Sequence, residues 1–146
     1  MRIIGTVVSS LALLIAAPAV AAPVSMTFQN VGTTGDMKVS KVQACGVFSP
    51  TPVAVAPGKT SPTSSTDCGS AASAAHVTYA IGTKTCVFHI TTTYTAPNPL
   101  LGQTTGTWTP YSKADGATNG AICKVVSQDV SDVFTTGAFA AVFSMK

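Results

Sequence analysis

The chain has 146 residues, 46% of them hydrophobic and only 9% charged, and a formal net charge of +3. It contains no Glu, and its one Arg is Arg2. With lysines scattered singly and no basic run or arginine fork to clamp phosphates or read guanine, this composition argues against nucleic-acid binding.

Residues 1–22, MRIIGTVVSSLALLIAAPAVAA, read as a signal peptide. Arg2 supplies the positive start, Val7 to Ala17 an apolar stretch too short to span a bilayer, and Ala19-Val20-Ala21 a small-residue cleavage site. Cleavage is expected after Ala21 or Ala22. The remainder, about 124 residues (146 − 22) from Pro23, suits one domain. Its seven Lys against five Asp leave +2, and its polar surface is mostly Ser and Thr, with 21 threonines. Without Arg or Glu the chain lacks material for exposed helices, whereas Thr favours strands. The expected fold class is all-β: a single sandwich, or partly closed barrel, of about 8–10 short antiparallel strands.

In chain order, VSMTFQNV (24–31) alternates Val24, Met26 and Phe28 with polar residues, which predicts a strand. GTTGD (32–36) then suggests a hairpin-like turn. MKVSKVQACGVF (37–48) changes apolar phase between Val39 and Val42, as a bulged strand would. PVAVAPG (52–58) is bounded by prolines and suits an edge. The stretch TSPTSSTDCGSAASAAH (60–76) holds Asp67, Cys68, Ser70 and His76, every side chain of a hydrolytic constellation. Ser70, however, sits in Cys-Gly-Ser-Ala-Ala rather than a nucleophile elbow, and a cysteine oxidised outside the cytosol is no thiolate. The stretch is read as a loop, with His76 at the start of the next strand.

HVTYAI (76–81) and TCVFHITTTY (85–94) are predicted strands joined by a tight connection over 81–84. Cys86, Phe88 and Ile90 face the core and His89 faces the other way. APNPLLGQ (96–103) is predicted as a loop, GTWTPY (106–111) as a strand with the only Trp, and SKADGATNG (112–120) as a polar turn. AICKVVS, VSDVF and AFAAVFSM complete the β pattern, and no helical period competes.

The four cysteines of an exported chain are expected to form two disulfides. Three pairings are open; Cys45–Cys68 with Cys86–Cys123 is favoured because the first closes the Pro/Ser/Thr-rich segment. No C-x-x-C or paired-histidine spacing points to zinc, and no metal or cofactor is expected. His89 has Asp67 as its nearest acid in sequence and is read as a sheet histidine. Asp129 and Asp132, D-x-x-D without a Glu, are read as turn carboxylates rather than a calcium site. Trp108 and Tyr111 are candidate ligand contacts, a stacking surface for sugars or an anchor at a lipid interface; core packing is the competing reading of Trp108.

MTFQNVGTTGDMKVSKVQACGVF followed by VAPGKTSPTSSTDCG, about residues 26–69, resembles the N-terminal half of aegerolysin-type sandwich proteins. The resemblance lies in Asn30, Val39, Val42, Gly46, Pro57, Gly58, Cys68 and Gly69. It implies a non-enzymatic protein that binds membrane lipids. The tryptophan-rich second half of that family is missing, since only Trp108 is present. A second class follows from TTGAFAAVFSMK, whose alternating Phe139, Ala141, Phe143 and Met145 resemble the closing strand of fimbrial and related envelope subunits, implying self-association through the C-terminal strand. The expectation is therefore a secreted, periplasmic or cell-surface binding protein without catalytic machinery, with a lipid or glycan surface as partner.

Overall fold

The computed structural model describes residues 22–146, so the predicted signal segment up to Ala21 lies outside it. Two four-stranded sheets face each other. The first has the order β3-β1-β8-β7, from Ser64–Thr66, Val24–Asn30, Phe139–Met145 and Cys123–Asp129. The second has the order β2-β4-β5-β6, from Lys38–Ala44, Ala72–Ile81, Lys84–Thr95 and Thr107–Thr118. The all-β sandwich follows from period-2 patterning: Val24, Met26 and Phe28 of β1 and Phe139, Ala141 and Phe143 of β8 point inward, opposite Val77 and Tyr79 of β4 and Phe88 and Ile90 of β5. At the centre Phe28 meets Tyr79 with ring centroids 4.7 Å apart, and Phe88 meets Phe143 at 5.1 Å.

The strands are antiparallel with one exception. β1 and β8 run parallel, in register from Val24↔Phe139 to Asn30↔Met145. A tight turn forces antiparallel pairing, but these two strands are joined by nearly the whole chain and escape that constraint. β8 is consequently central, paired by β1 on one side and β7 on the other.

Both disulfides are the favoured ones, Cys45–Cys68 and Cys86–Cys123. Each ties the two sheets together: Cys45 follows β2 and Cys68 follows β3, while Cys86 lies on β5 and Cys123 opens β7. Two such bridges are compatible with an oxidising compartment.

Several local expectations are corrected. Residues 32–36 form a crossing between sheets rather than a hairpin, with Asn30 buried beneath it; the Asn30 amide donates to the Gly35 and Val55 carbonyls, and its side-chain oxygen accepts from Gly32 N–H. The PVAVAPG segment contributes one bridge, Met37↔Val55, and no strand. The predicted loop 60–76 shrinks to 67–71 between β3 and β4. The predicted turn over 112–120 is mostly strand, because β6 runs to Thr118 by pairing with β5. VSDVF gives a short helical turn, α1, Val133–Thr136, closed by Gly137 at φ 79°, and residues 99–101 form a 3₁₀ turn. Other expectations hold: the bulge falls between Val39 and Lys41, and Gly82, at φ 59°, makes the two-residue turn joining β4 to β5.

Candidate functional site

The polar residues of 60–76 do not converge. Asp67 accepts from Gly69 N–H at 2.9 Å, and the Ser70 hydroxyl donates to the Ala72 carbonyl at 3.0 Å, so both serve the turn that carries Cys68. Gly46 packs so closely on the Asp67 carbonyl that a Cβ would not fit there. His76 lies in the middle of β4, not at its start, and points to the outer face of the second sheet.

There it meets His89. The two are direct cross-strand partners, with ring centroids 4.2 Å apart and planes at 62°. The row continues on both sides, from Gln43 of β2 through His76 and His89 to Lys113 of β6. One carboxylate organises the cluster: Asp115 Oδ1 lies 2.8 Å from His89 Nε2, and its Oδ2 lies 2.8 Å from Lys113 Nζ. The Lys113 ammonium beside Asp115 holds that carboxyl below its ordinary range, and His89 adds to the effect. The same contact raises the Lys113 ammonium. Partial burial, and then the neighbouring His89, lowers His76, which favours a neutral imidazole. A depression of about 250 Å³, lined by Gln43, Ala44, Cys45, Ala74, Ala75 and His76, adjoins the row.

Sequence reasoning paired His89 with no nearby acid; the structure supplies Asp115, 26 residues away. The available signal was alternation within YSKADG, where Tyr111, Lys113 and Asp115 share one face, but the turn-like composition masked it.

The two candidate ligand contacts separate. Trp108 is buried at 7% exposure, packed on Tyr94 with centroids 5.1 Å apart and over Gly137, whereas Tyr111 is exposed on the opposite face of β6. They form no shared stacking surface. Asp129 accepts from Ser131 N–H at 3.0 Å and from its hydroxyl at 2.7 Å, and Asp132 caps α1 through its carbonyl, which accepts from the Thr135 and Thr136 hydroxyls. Asp129 ends β7 and Asp132 precedes α1, so both serve the turn between them. Among the described residues, no group of three His, Cys, Asp or Glu side chains stands ready to hold a metal.

An apolar surface that sequence reasoning left as a loop lies at one end of the sandwich. Leu100 is 95% exposed and Leu101 74%, both on the 3₁₀ turn between β5 and β6. Phe134 of α1 is 70% exposed. The two turns share an end, because Trp108 at the start of β6 rests against Gly137 at the end of α1. Asn98 shapes the leucine turn by accepting from Leu100 N–H, and Gly102, at φ 74°, closes it. No Lys, Arg, Asp or Glu occurs between Lys84 and Lys113. No family model, curated protein or solved structure matches this chain.

Proposed function

We propose that this protein is an exported, non-catalytic binding protein that docks reversibly on lipid bilayers through its leucine tip. The observation that carries the reading is the pair Leu100–Leu101, 95% and 74% exposed on a capped, uncharged 3₁₀ turn, with Phe134 of α1 also exposed at the same end of the sandwich. Exposed apolar side chains on an uncharged turn favour an interface that accepts them, and a bilayer does so without the matching groove that a protein partner would need. Burying two leucine side chains stabilises the bound state by about 3–6 kcal/mol, enough for weak, reversible attachment. The leucine turn itself carries no charge, and Asp129 and Asp132, which flank the α1 turn, are negative. Attachment is therefore driven by apolar insertion and does not depend on anionic lipid. The resemblance of residues 26–69 to lipid-binding sandwich proteins points the same way.

The test is sedimentation of the mature, disulfide-intact protein with phosphatidylcholine vesicles. Binding should persist at high salt and should not require phosphatidylserine. It should vanish in Leu100→Asp/Leu101→Asp, whose melting temperature stays close to that of the parent. Absence of binding to either vesicle refutes the reading. Concentration-dependent polymers formed without lipid would favour the envelope-subunit alternative instead; in that case β1 must release β8, whose two edges are both paired within the chain.

A further inference from the structure

We infer that His76 and His89 form a two-imidazole site for a divalent transition-metal ion, with Cu²⁺ the preferred occupant. This inference is independent of the leucine tip and stands or falls without it.

The backbone sets the pair. Tyr94 N–H donates to the Ala71 carbonyl at 2.7 Å, which makes 71/94 a hydrogen-bonded pair of the β4–β5 ladder. The register is unbroken from Ala72↔Thr93 to Ile81↔Lys84, so hydrogen-bonded and non-hydrogen-bonded pairs alternate along it, and His76↔His89 falls on a non-hydrogen-bonded one. Such pairs bring the side chains closest, with Cα atoms about 4.5 Å apart. The rings accordingly stand 4.2 Å apart by centroid. A metal bonded to each imidazole at about 2.0–2.1 Å needs two nitrogens about 3–4 Å apart, within reach of rings so placed.

The surroundings suit a bis-imidazole ligand. Asp115 engages Nε2 of His89 at 2.8 Å, the outer carboxylate that commonly orients a ligating histidine and leaves the other ring nitrogen to carry the lone pair. Lys113 is neutralised by the second oxygen of that carboxylate, so a cation arriving at the pair meets an ion pair rather than a free ammonium. From β2, Gln43 faces His76 and adds no charge. Both rings are only partly buried on an open sheet face, which leaves further coordination positions to water. The donor set selects the ion. Imidazole suits Cu²⁺, Ni²⁺ and Zn²⁺, and affinity at nitrogen sites peaks at Cu²⁺. Calcium and magnesium require oxygen ligands, and all four cysteines are engaged in disulfides, which leaves no thiolate for a softer ion.

The test is titration of chelator-stripped, mature protein with CuSO₄. Substoichiometric Cu²⁺ should selectively broaden the ring proton resonances of His76 and His89 while leaving the Leu100 and Leu101 methyls sharp. Affinity should fall at least tenfold in His76→Gln and in His89→Gln. The double variant should lose little more than either single one, keeping only the weak binding of the chain's amino terminus. Ni²⁺ and Zn²⁺ should bind the same pair more weakly than Cu²⁺. The inference is overturned if Cu²⁺ broadens resonances elsewhere and spares the two rings, or if both single variants bind within twofold of the parent.

Discussion

The outer faces of the two sheets are built from different chemistry. On the first sheet, Ser25 meets Ser65 and Thr27 meets Thr63, each hydroxyl pair at 2.8 Å, beside Gln29, Ala140 and Val142. Its charges, Lys124 and Asp129, sit only on the edge strand β7. The second sheet carries Gln43, His76, His89, Tyr111, Lys113 and Asp115 across four adjoining strands. Both sheets present the same kind of inner face, apolar and aromatic, so the contrast does not come from the core. It shows that one outer surface is finished with short hydroxyl side chains that satisfy one another, while the other concentrates groups able to bind protons and ions. A face of paired hydroxyls contributes packing and β propensity; a face with two imidazoles and an ion pair is where a ligand would be recognised.

The largest expected effect tests the shared inner face. Phe88 is fully buried against Phe28 and Phe143, and Phe88→Ala should cost about 3–5 kcal/mol in chemical denaturation. Its neighbour His89, on the outer face of the same strand, should cost under about 1 kcal/mol as His89→Thr, because its contact with Asp115 is solvent-accessible and Thr is a good strand former. Equal losses would mean that inner and outer faces are not distinct in energy. Between these extremes, Gly137→Ala should destabilise by about 1–3 kcal/mol. Its φ of 79° disfavours a side chain, and an added Cβ would lie 2.5 Å from the Trp108 ring. An unaffected Gly137→Ala would place Trp108 outside the core and restore it as a surface contact.

A smaller effect separates the outer faces themselves. Thr27→Val retains β-branching and removes one hydroxyl pair, so its change should stay within about 1 kcal/mol with no change in copper affinity. A loss of copper binding there would erase the distinction between the faces. The smallest effect concerns acid. Hydrogen bonds from the Ser131 backbone and hydroxyl hold the Asp129 carboxyl below the ordinary carboxylate value of 3.8. A group depressed in this way binds protons more readily when unfolded. Its contribution is therefore fully present above about pH 4 and lost as pH falls through its lower folded-state value. Melting curves between pH 5 and pH 2 should decline more steeply for the parent than for Asp129→Asn, and parallel curves would remove the carboxylate from the balance.

Much of the fold was legible because alternation is a local signal. The inward sets Val24/Met26/Phe28, Cys86/Phe88/Ile90 and Phe139/Ala141/Phe143 needed only period-2 reading, and each is buried. The turn at Gly82 and the bulge at Val39 were local signals too. Where composition and pairing disagreed, pairing won. Ser112–Thr118 reads as a turn by residue type but is held as strand by five partners along β5, and that extension brings Asp115 to His89. Val133–Thr136 alternates too briefly to hold a strand and closes as a helical turn on Gly137.

The amino-acid sequence alone therefore determined the class, the alternating core residues of β1, β5 and β8, and the oxidised cysteines, since each depends on composition or on neighbours one or two positions apart. The tertiary structure decided what depends on distant segments meeting. It set the parallel closure of β1 on β8, the burial of Trp108 against a glycine 29 positions further along (137 − 108), the shared end of the Leu100–Leu101 turn and α1, and the His76–His89–Asp115 cluster. Those placements are fixed by strand register and sheet order. A shift of one residue in β5 or β6 would turn His89 or Asp115 to the opposite face, and no local pattern records that choice.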